Sequence, residues 1–305
     1  MGLQMSEMMP PAARSATMLQ LFEAFAEDPS RWVRIAAYQE LGSLIATMQG
    51  LPGPSTELVP ARIVRHYVSM AEDSVKSANG EFPVYCAFNF PAVLLAIGSA
   101  RWSELGPTYH CLVNSPPAIP GRPSPAIRLG LTQWRVRRTL AFSLHEVARL
   151  LGPALTEAEL VPTFDLFLKD LDEVRIGAIT HMAEFLSLLP AAHRLTYLRM
   201  LPQVMHETEG WRFRRTVAKQ LIGFCGRGLF PADVLLEHLV PLALQLCCDQ
   251  VAAVRAVAHL GKPVGLTKSR TSCPSARLVP LPEWPGGHPP VGIDRPLGAF
   301  LAASD

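Results

Sequence analysis

Apolar residues recur along this chain in a fixed rhythm. Val174, Ala178, Met182, Phe185 and Leu189 are separated by four, four, three and four residues. Those steps bring all five to one face of a helix. Val136, Leu140, Leu144, Val147 and Leu151 keep the same steps, and so do Val33, Ala37, Leu41, Leu44 and Met48. Phe213, Val217, Leu221 and Phe224 follow the first three steps. Each of these rulers opens beside an arginine in a recurring phrase: "EDPSRWVRIAA", "TQWRVRRTLAF", "FLKDLDEVRIGAI" and "EGWRFRRTVAK". "CDQVAAVRAVA" begins a fifth.

Aligned on Arg34, Arg137, Arg175, Arg214 and Arg255, the last three intervals are 38, 39 and 41 residues. That is the period of a two-helix HEAT repeat, about 40 residues. A shorter apolar helix is expected ahead of each ruler. "LVPTFDLFLKD" would start at Pro162, "LPQVMHETE" at Pro202, "LVPLALQLCCD" at Pro241 and "PARIVRHYVSMAED" at Pro60. Proline suits a first helical turn, where its missing N–H costs nothing. The pattern predicts an all-α fold, a HEAT-repeat α-solenoid in which helix pairs stack as a right-handed superhelix.

Two stretches break the rhythm. Arg34 and Arg137 are 103 residues apart, and residues 114–133, "NSPPAIPGRPSPAIRLGLTQ", hold five prolines and no acidic residue. This segment is expected to be a Pro-rich loop. The remaining distance fits two periods, so a degenerate repeat should lie between, with Val84, Phe88, Ala92 and Leu95 as its ruler and Pro91 as a kink. Beyond "AVRAVAHLG" the rhythm stops, and residues 263–305 hold eight prolines and five glycines. The expected organisation is a disordered N-terminus (1–18), an array (19–260) interrupted at 114–133, and a disordered Pro/Gly-rich tail (261–305). Gly261-Lys262 and Thr132-Gln133 permit splice-donor and splice-acceptor codons, so both odd segments fit unspliced intron read as protein.

Composition changes this picture little. The chain has 305 residues, 49% hydrophobic and 18% charged, enough for a long packed array. A net charge of +2 gives no global reason to expect nucleic acid or an anionic membrane as partner. No uninterrupted apolar run is long enough to predict a membrane span. None of the six cysteines lies in a C-x-x-C pair, and most fall within apolar helical patterns. They are expected to be reduced core residues of an intracellular protein.

Candidate chemistry is thin. Asp170, Asp172 and Glu173 read as a helix start, where acids cap free N–H groups and suit the positive end of the dipole. The glycine and later glutamate of a calcium loop are misplaced. Arg34, Arg137, Arg175, Arg214 and Arg255 read as a structural ladder, each pairing with an aspartate, such as Asp172, of its own or a neighbouring turn. Exposed pairs of this kind are worth about 0–1 kcal/mol. His145-Glu146 lacks the second histidine of H-E-x-x-H, since Arg149 stands there. The histidines show no ligand spacing, and no nucleophile elbow or phosphate loop is present. No catalytic residue, cofactor or metal is expected; the chain reads as a binding protein rather than an enzyme. Its candidate contacts are Trp32, Trp134 and Trp211, each at the turn inside a repeat and each beside an arginine: Arg31, Arg135 and Arg212. Such a tryptophan either wedges adjacent repeats or forms an exposed aromatic-plus-arginine edge, the usual makeup of a binding hot spot.

With these phrases assembled, the chain resembles the HEAT-repeat regulatory subunit 1 family of serine/threonine-protein phosphatase 4. "VYCAFNFPAVLL", "WRVRRTLAFSLHE", "LVPTFDLFLKDLDEVRIGAI", "WRFRRTVAKQL" and "LCCDQVAAVR" carry the likeness from Leu21 to Leu260, omitting 114–133. The resemblance implies a shortened, non-catalytic regulatory or scaffold subunit. Its partner would be the phosphatase 4 catalytic subunit, whose substrate choice it would influence, in the cytoplasm and also the nucleus. The other reading is a generic HEAT adaptor, like the scaffold of phosphatase 2A or a transport module, with other proteins as partners.

Overall fold

The structure, a computed structural model, describes residues 11–48, 59–72, 81–114, 126–206 and 210–260. All of these lie in one compact unit, Met1–Val264. The expectations for residues 1–10, 115–125 and 261–305 fall outside the described residues.

The fold is all-α, and its helices come in pairs. They are α1 (Pro11–Ala26) with α2 (Arg31–Ala46), α3 (Ala61–Glu72) with α4 (Phe82–Ile97), and α5 (Trp102–Val113) with α6 (Ala126–Leu151). Then follow α7 (Val161–Leu168) with α8 (Asp172–Thr180) and its continuation α9 (Met182–Ser187), α10 (Ala191–His206) with α11 (Trp211–Gly226), and α12 (Val240–Cys247) with α13 (Ala252–Leu260). The second helices pack side by side in chain order: α2 on α4, α4 on α6, α6 on α8, α8 on α11 and α11 on α13. This is the neighbour-on-neighbour packing of an α-solenoid, in which each pair buries its apolar face against the next.

Three rulers hold in full. Val136 to Leu151, Val174 to Leu189 and Phe213 to Phe224 are buried at every marked position. In α2 Leu41 and Ile45 are buried, with Met48 buried just past its end, while Val33, Ala37 and Leu44 are half-buried. The expected ruler of the degenerate repeat is shifted. In α4, Phe88 and Leu95 are exposed, whereas Phe82, Cys86, Phe90 and Val93 are buried. The steps are right and the start is two residues early, because "FPVYCAFNFPAVLLAI" is apolar on every side and periodicity cannot choose its inner face. Tertiary contact chooses it: Phe90 sits 5.0 Å from Tyr109 and 6.2 Å from Trp102, ring to ring, against α5.

Three boundaries also move. The chain is helical from Pro11, with Met18 and Phe22 buried, so the first helix of the first pair begins within the stretch expected to be disordered. The Pro-rich segment is helical from Ala126 onward. Its last proline is Pro125, and nothing after it forbids a helix. Finally, Pro162 and Pro241 stand in the first turns of α7 and α12 as expected, but the helical runs that hold them begin earlier, and Pro202 does not open α10. Helical turns Pro153–Leu155 and Thr156–Leu160 precede Pro162, turns Ala232–Val234 and Leu235–Leu239 precede Pro241, and Pro202 lies inside α10. The five-residue turns before Pro162 and Pro241 are π-type. That wider turn accommodates a proline that has no N–H to donate. The true starts are marked by Pro153, Pro190 and Pro231.

The cysteines divide differently from expectation. Cys86 is buried in the core, whereas Cys111, Cys225 and Cys248 are exposed and Cys247 is half-buried. Cys225 follows the ruler residue Phe224 directly, one step around the helix from the buried face. No single helix among the described residues is long and apolar enough to cross a membrane. The bent pair Phe82–Ile97 and Ser99–Val113 is long and apolar enough by composition, and most of its apolar residues are buried against neighbouring helices.

Candidate partner-binding edge

A ladder arginine stands on five of the six second helices among the described residues, and those that reach beyond their own turn reach forward to the next pair. Arg137 of α6 grips both carboxylate oxygens of Asp170, in the turn before α8, with its Nη2 at 3.0 Å from Oδ1. Arg214 of α11 grips Asp249, in the turn before α13, at 2.6 and 3.2 Å. Arg175 reaches the Val204 carbonyl of α10 at 3.2 Å, lies over the Phe213 ring, and keeps Asp172 of its own turn at 3.7 Å. Arg34 and Arg255 instead bond carbonyls of their own turns, those of Asp28 and Pro29 and of Asp249 and Gln250. The acceptors gripped through both oxygens are thus Asp170 and Asp249, while the half-exposed Asp172 keeps the expected ion pair with Arg175 of its own turn.

The acids before α8 make no side-chain cap on that helix. Asp170 instead accepts the neighbouring Leu171 N–H at 2.7 Å while holding Arg137, and Asp172 and Glu173 sit in the first turn, where the helix dipole favours them. The Arg214–Asp249 pair is well shielded, with side-chain exposures of 14% and 8%. The hydrogen bond from Arg214 is the main reason the Asp249 carboxyl titrates below the usual range, and the same bond raises the guanidinium.

These bonds tie neighbouring second helices together near the ladder arginines, and each of the three tryptophans lies two or three residues ahead of such an arginine. Trp32 is the second residue of α2 and is 75% exposed; Trp211 is the first residue of α11 and is 38% exposed. Trp134 is half-buried and lies within α6, because that helix runs on past the expected turn. In all three pairs the following or preceding arginine lies over the indole. Arg31 is 5.8 Å from the Trp32 ring centre, Arg135 is 5.8 Å from Trp134, and Arg212 is 5.4 Å from Trp211. All three arginines are exposed. The first, third and fifth pairs therefore present the same aromatic–cation unit, a surface rich in donors and in rigid apolar area. In the fourth pair the corresponding turn presents the exposed Leu171.

One cluster escaped the sequence reading, which expected no metal-ligand set. His145 of α6, His181 at the junction of α8 and α9, and Glu184 of α9 bring one donor atom each to within 4.8 Å of one another. The two imidazoles stack 3.9 Å apart, His145 Nε2 lies 3.6 Å from Glu184, and Arg227 holds the other oxygen of Glu184 at 3.1 Å. Burial first, then the positive neighbours His181, Arg149 and Arg227, push the His145 imidazole down to about 3. It is neutral at physiological pH. The signal was present but not local: His145 and His181 are nearly one repeat apart.

A profile of the protein phosphatase 4 regulatory subunit 1 middle domain matches residues 129–204. The mouse serine/threonine-protein phosphatase 4 regulatory subunit 1 is 36% identical over 244 residues, 75% of this chain and 24% of that protein. The human protein is 39% identical over 206 residues, 67% of this chain and 20% of that protein. The chain is a relative of phosphatase 4 regulatory subunit 1. It spans about a quarter or less of the length of these curated relatives. The middle-domain match begins inside the segment that the sequence reading had set aside, in agreement with a helix running from Ala126. It covers the Trp134–Arg135 unit, the Arg137–Asp170 rung and the histidine cluster. In the regulatory subunit 1 relatives, as their name states, the role is regulatory.

Proposed function

We propose that this chain is a non-catalytic regulatory or scaffold subunit that binds the catalytic subunit of serine/threonine-protein phosphatase 4 and influences its choice of substrates. The observation that carries this reading is the 36–39% identity to phosphatase 4 regulatory subunit 1 across two thirds or more of the chain. The contact edge in this proposal is the row of Trp–Arg units beside the ladder arginines, with Trp32, Trp134 and Trp211 as apolar anchors and Arg31, Arg135 and Arg212 as donors to acidic groups of the partner. Tryptophan and arginine dominate binding hot spots because they bury large rigid area and make several directed bonds. The protein is proposed to work in the cytoplasm, with access to the nucleus.

The test is affinity purification of the tagged chain from cells, with mass spectrometry of what is retained. Recovery of the phosphatase 4 catalytic subunit, lost on simultaneous Trp32→Ala, Trp134→Ala and Trp211→Ala substitution, is the expected result. Recovery of other proteins without any phosphatase catalytic subunit would overturn the reading in favour of a general adaptor.

A further inference from the structure

The histidine cluster is not used by the scaffold role. Its three donors come from two consecutive pairs: His145 from the middle of α6, and His181 and Glu184 from the broken helix that packs on it. Several features of the cluster suit a cation, while Arg149 and Arg227 add positive charge that works against one. His145 makes a backbone hydrogen bond at Phe142 and turns its Nε2 toward Glu184, the arrangement in which one ring nitrogen is held by the backbone and the other is left to ligate. The two stacked imidazoles gain little from each other unless something lies at their nitrogen edge. Glu184 is half-exposed and turns one oxygen toward His145 while Arg227 of the following pair orients the other, the outer-shell arrangement that fixes ligating carboxylates. The backbone is bent to place His181: the helix breaks there, with φ at −123°. Gln220 from α11 bridges the break by accepting the Ala183 N–H at 3.0 Å and donating to the Thr180 carbonyl at 2.6 Å.

We propose that His145, His181 and Glu184 bind one divalent transition-metal cation of the zinc type, which ties the third helix pair to the fourth. Two imidazoles and one carboxylate form a three-ligand donor set for zinc, with water completing a tetrahedron. Donors within 4.8 Å of one another reach the required ~2 Å from a common centre by modest side-chain rotation. His181 and Glu184 are three residues apart, so both already face one side of the helical segment. His145 meets them from the neighbouring helix, and the cation therefore bridges a repeat interface rather than capping a single helix. The inference does not depend on phosphatase binding, since His145 lies ten residues along α6 from Arg135 and the helices of His181 and Glu184 carry no Trp–Arg unit.

The experiment uses the purified full chain stripped with chelator. Zinc is titrated by calorimetry, cobalt is titrated by its visible ligand-field absorption, and thermal melts are recorded across zinc concentrations. The expected result is one saturable equivalent, a tetrahedral-type cobalt band, and a melting temperature that rises with the logarithm of zinc concentration. Glu184→Gln and His181→Asn should each weaken binding more than about tenfold while melting, without metal, close to the parent. His238→Ala, outside the cluster, should bind as the parent does. Absence of a saturable equivalent overturns the site, and so does unchanged binding in a folded Glu184→Gln protein. Because the readout is metal binding, it stands or falls separately from capture of a phosphatase.

Discussion

A β-carbon added to Gly42 would stand 2.2 Å from the Cβ of Asn89, far inside contact distance. Asn89 is one of the few buried polar side chains, and its amide donates to the Tyr85 carbonyl at 3.1 Å. Gly42 lets α2 approach α4 closely enough for that side chain to fill the interface. Gly177 does the same between α6 and α8, where a methyl would meet the Phe142 ring at 2.9 Å. Gly42→Ala is expected to cost about 1–3 kcal/mol by overpacking, read as a lower denaturant midpoint with an unchanged slope. Asp249 supports a second prediction. Its carboxyl is held below its ordinary value by Arg214. The pair's stabilisation is therefore present above pH about 4 and is lost as pH falls through the lowered value. Asp249→Asn should cost about 1.5–3 kcal/mol at pH 7, and the gap to the parent should close at strongly acidic pH. The phrases that carry the family likeness contain these residues: "CAFNFPAVLL" holds Asn89, and "FLKDLDEVRIG" holds Asp170 and Gly177. Their type could be read in advance. Their partners could not, because each partner lies a repeat away.

At the scale of the element, the second helices were legible and the first helices were not. A ruler of isolated apolar residues among polar ones fixes an inner face, as in α6, α8–α9 and α11. It fails for α4, which is apolar all round, and there the aromatic group of Phe90, Trp102 and Tyr109 decides. The first helices were misread because an internal proline imitates a start. Pro162 and Pro241 follow π turns inside longer helical runs, so the sequence cue was genuine and its position in the helix was not. The break at His181 had no sequence signal of its own, since the ruler passes straight through it. Gln220→Ala removes the side chain that satisfies both sides of the break. It should cost about 1–3 kcal/mol and speed amide exchange at Ala183 specifically. The candidate edge was half legible: the tryptophans and their arginines were found, and the extension of α6 that moves Trp134 away from a turn was hidden behind the prolines.

For the whole molecule, packing between neighbours in chain order makes stability close to one-dimensional. A lesion at one end should stay local. Val254→Asp in α13 should lower hydrogen-exchange protection in α13 and α11 while leaving α2 and α4 unchanged. Binding through the Trp–Arg units should weaken as salt rises toward several hundred millimolar, because exposed charge pairs are screened over about 8 Å at physiological ionic strength. The ladder also gives the array a direction. Arg137 and Arg214 each reach forward to the turn of the next pair, and Pro153, Pro190 and Pro231 open successive units. The units of Arg137 and Arg214 therefore make the same forward contact, and cuts made at those prolines leave one such arginine ahead of one such aspartate. Joining Gly152 to Pro231 would excise two whole units and hand Arg137 the aspartate that Arg214 now holds. Such a chain should still melt cooperatively, whereas an excision displaced by half a unit should not. Evolution can lengthen or shorten an array of this kind only in whole steps.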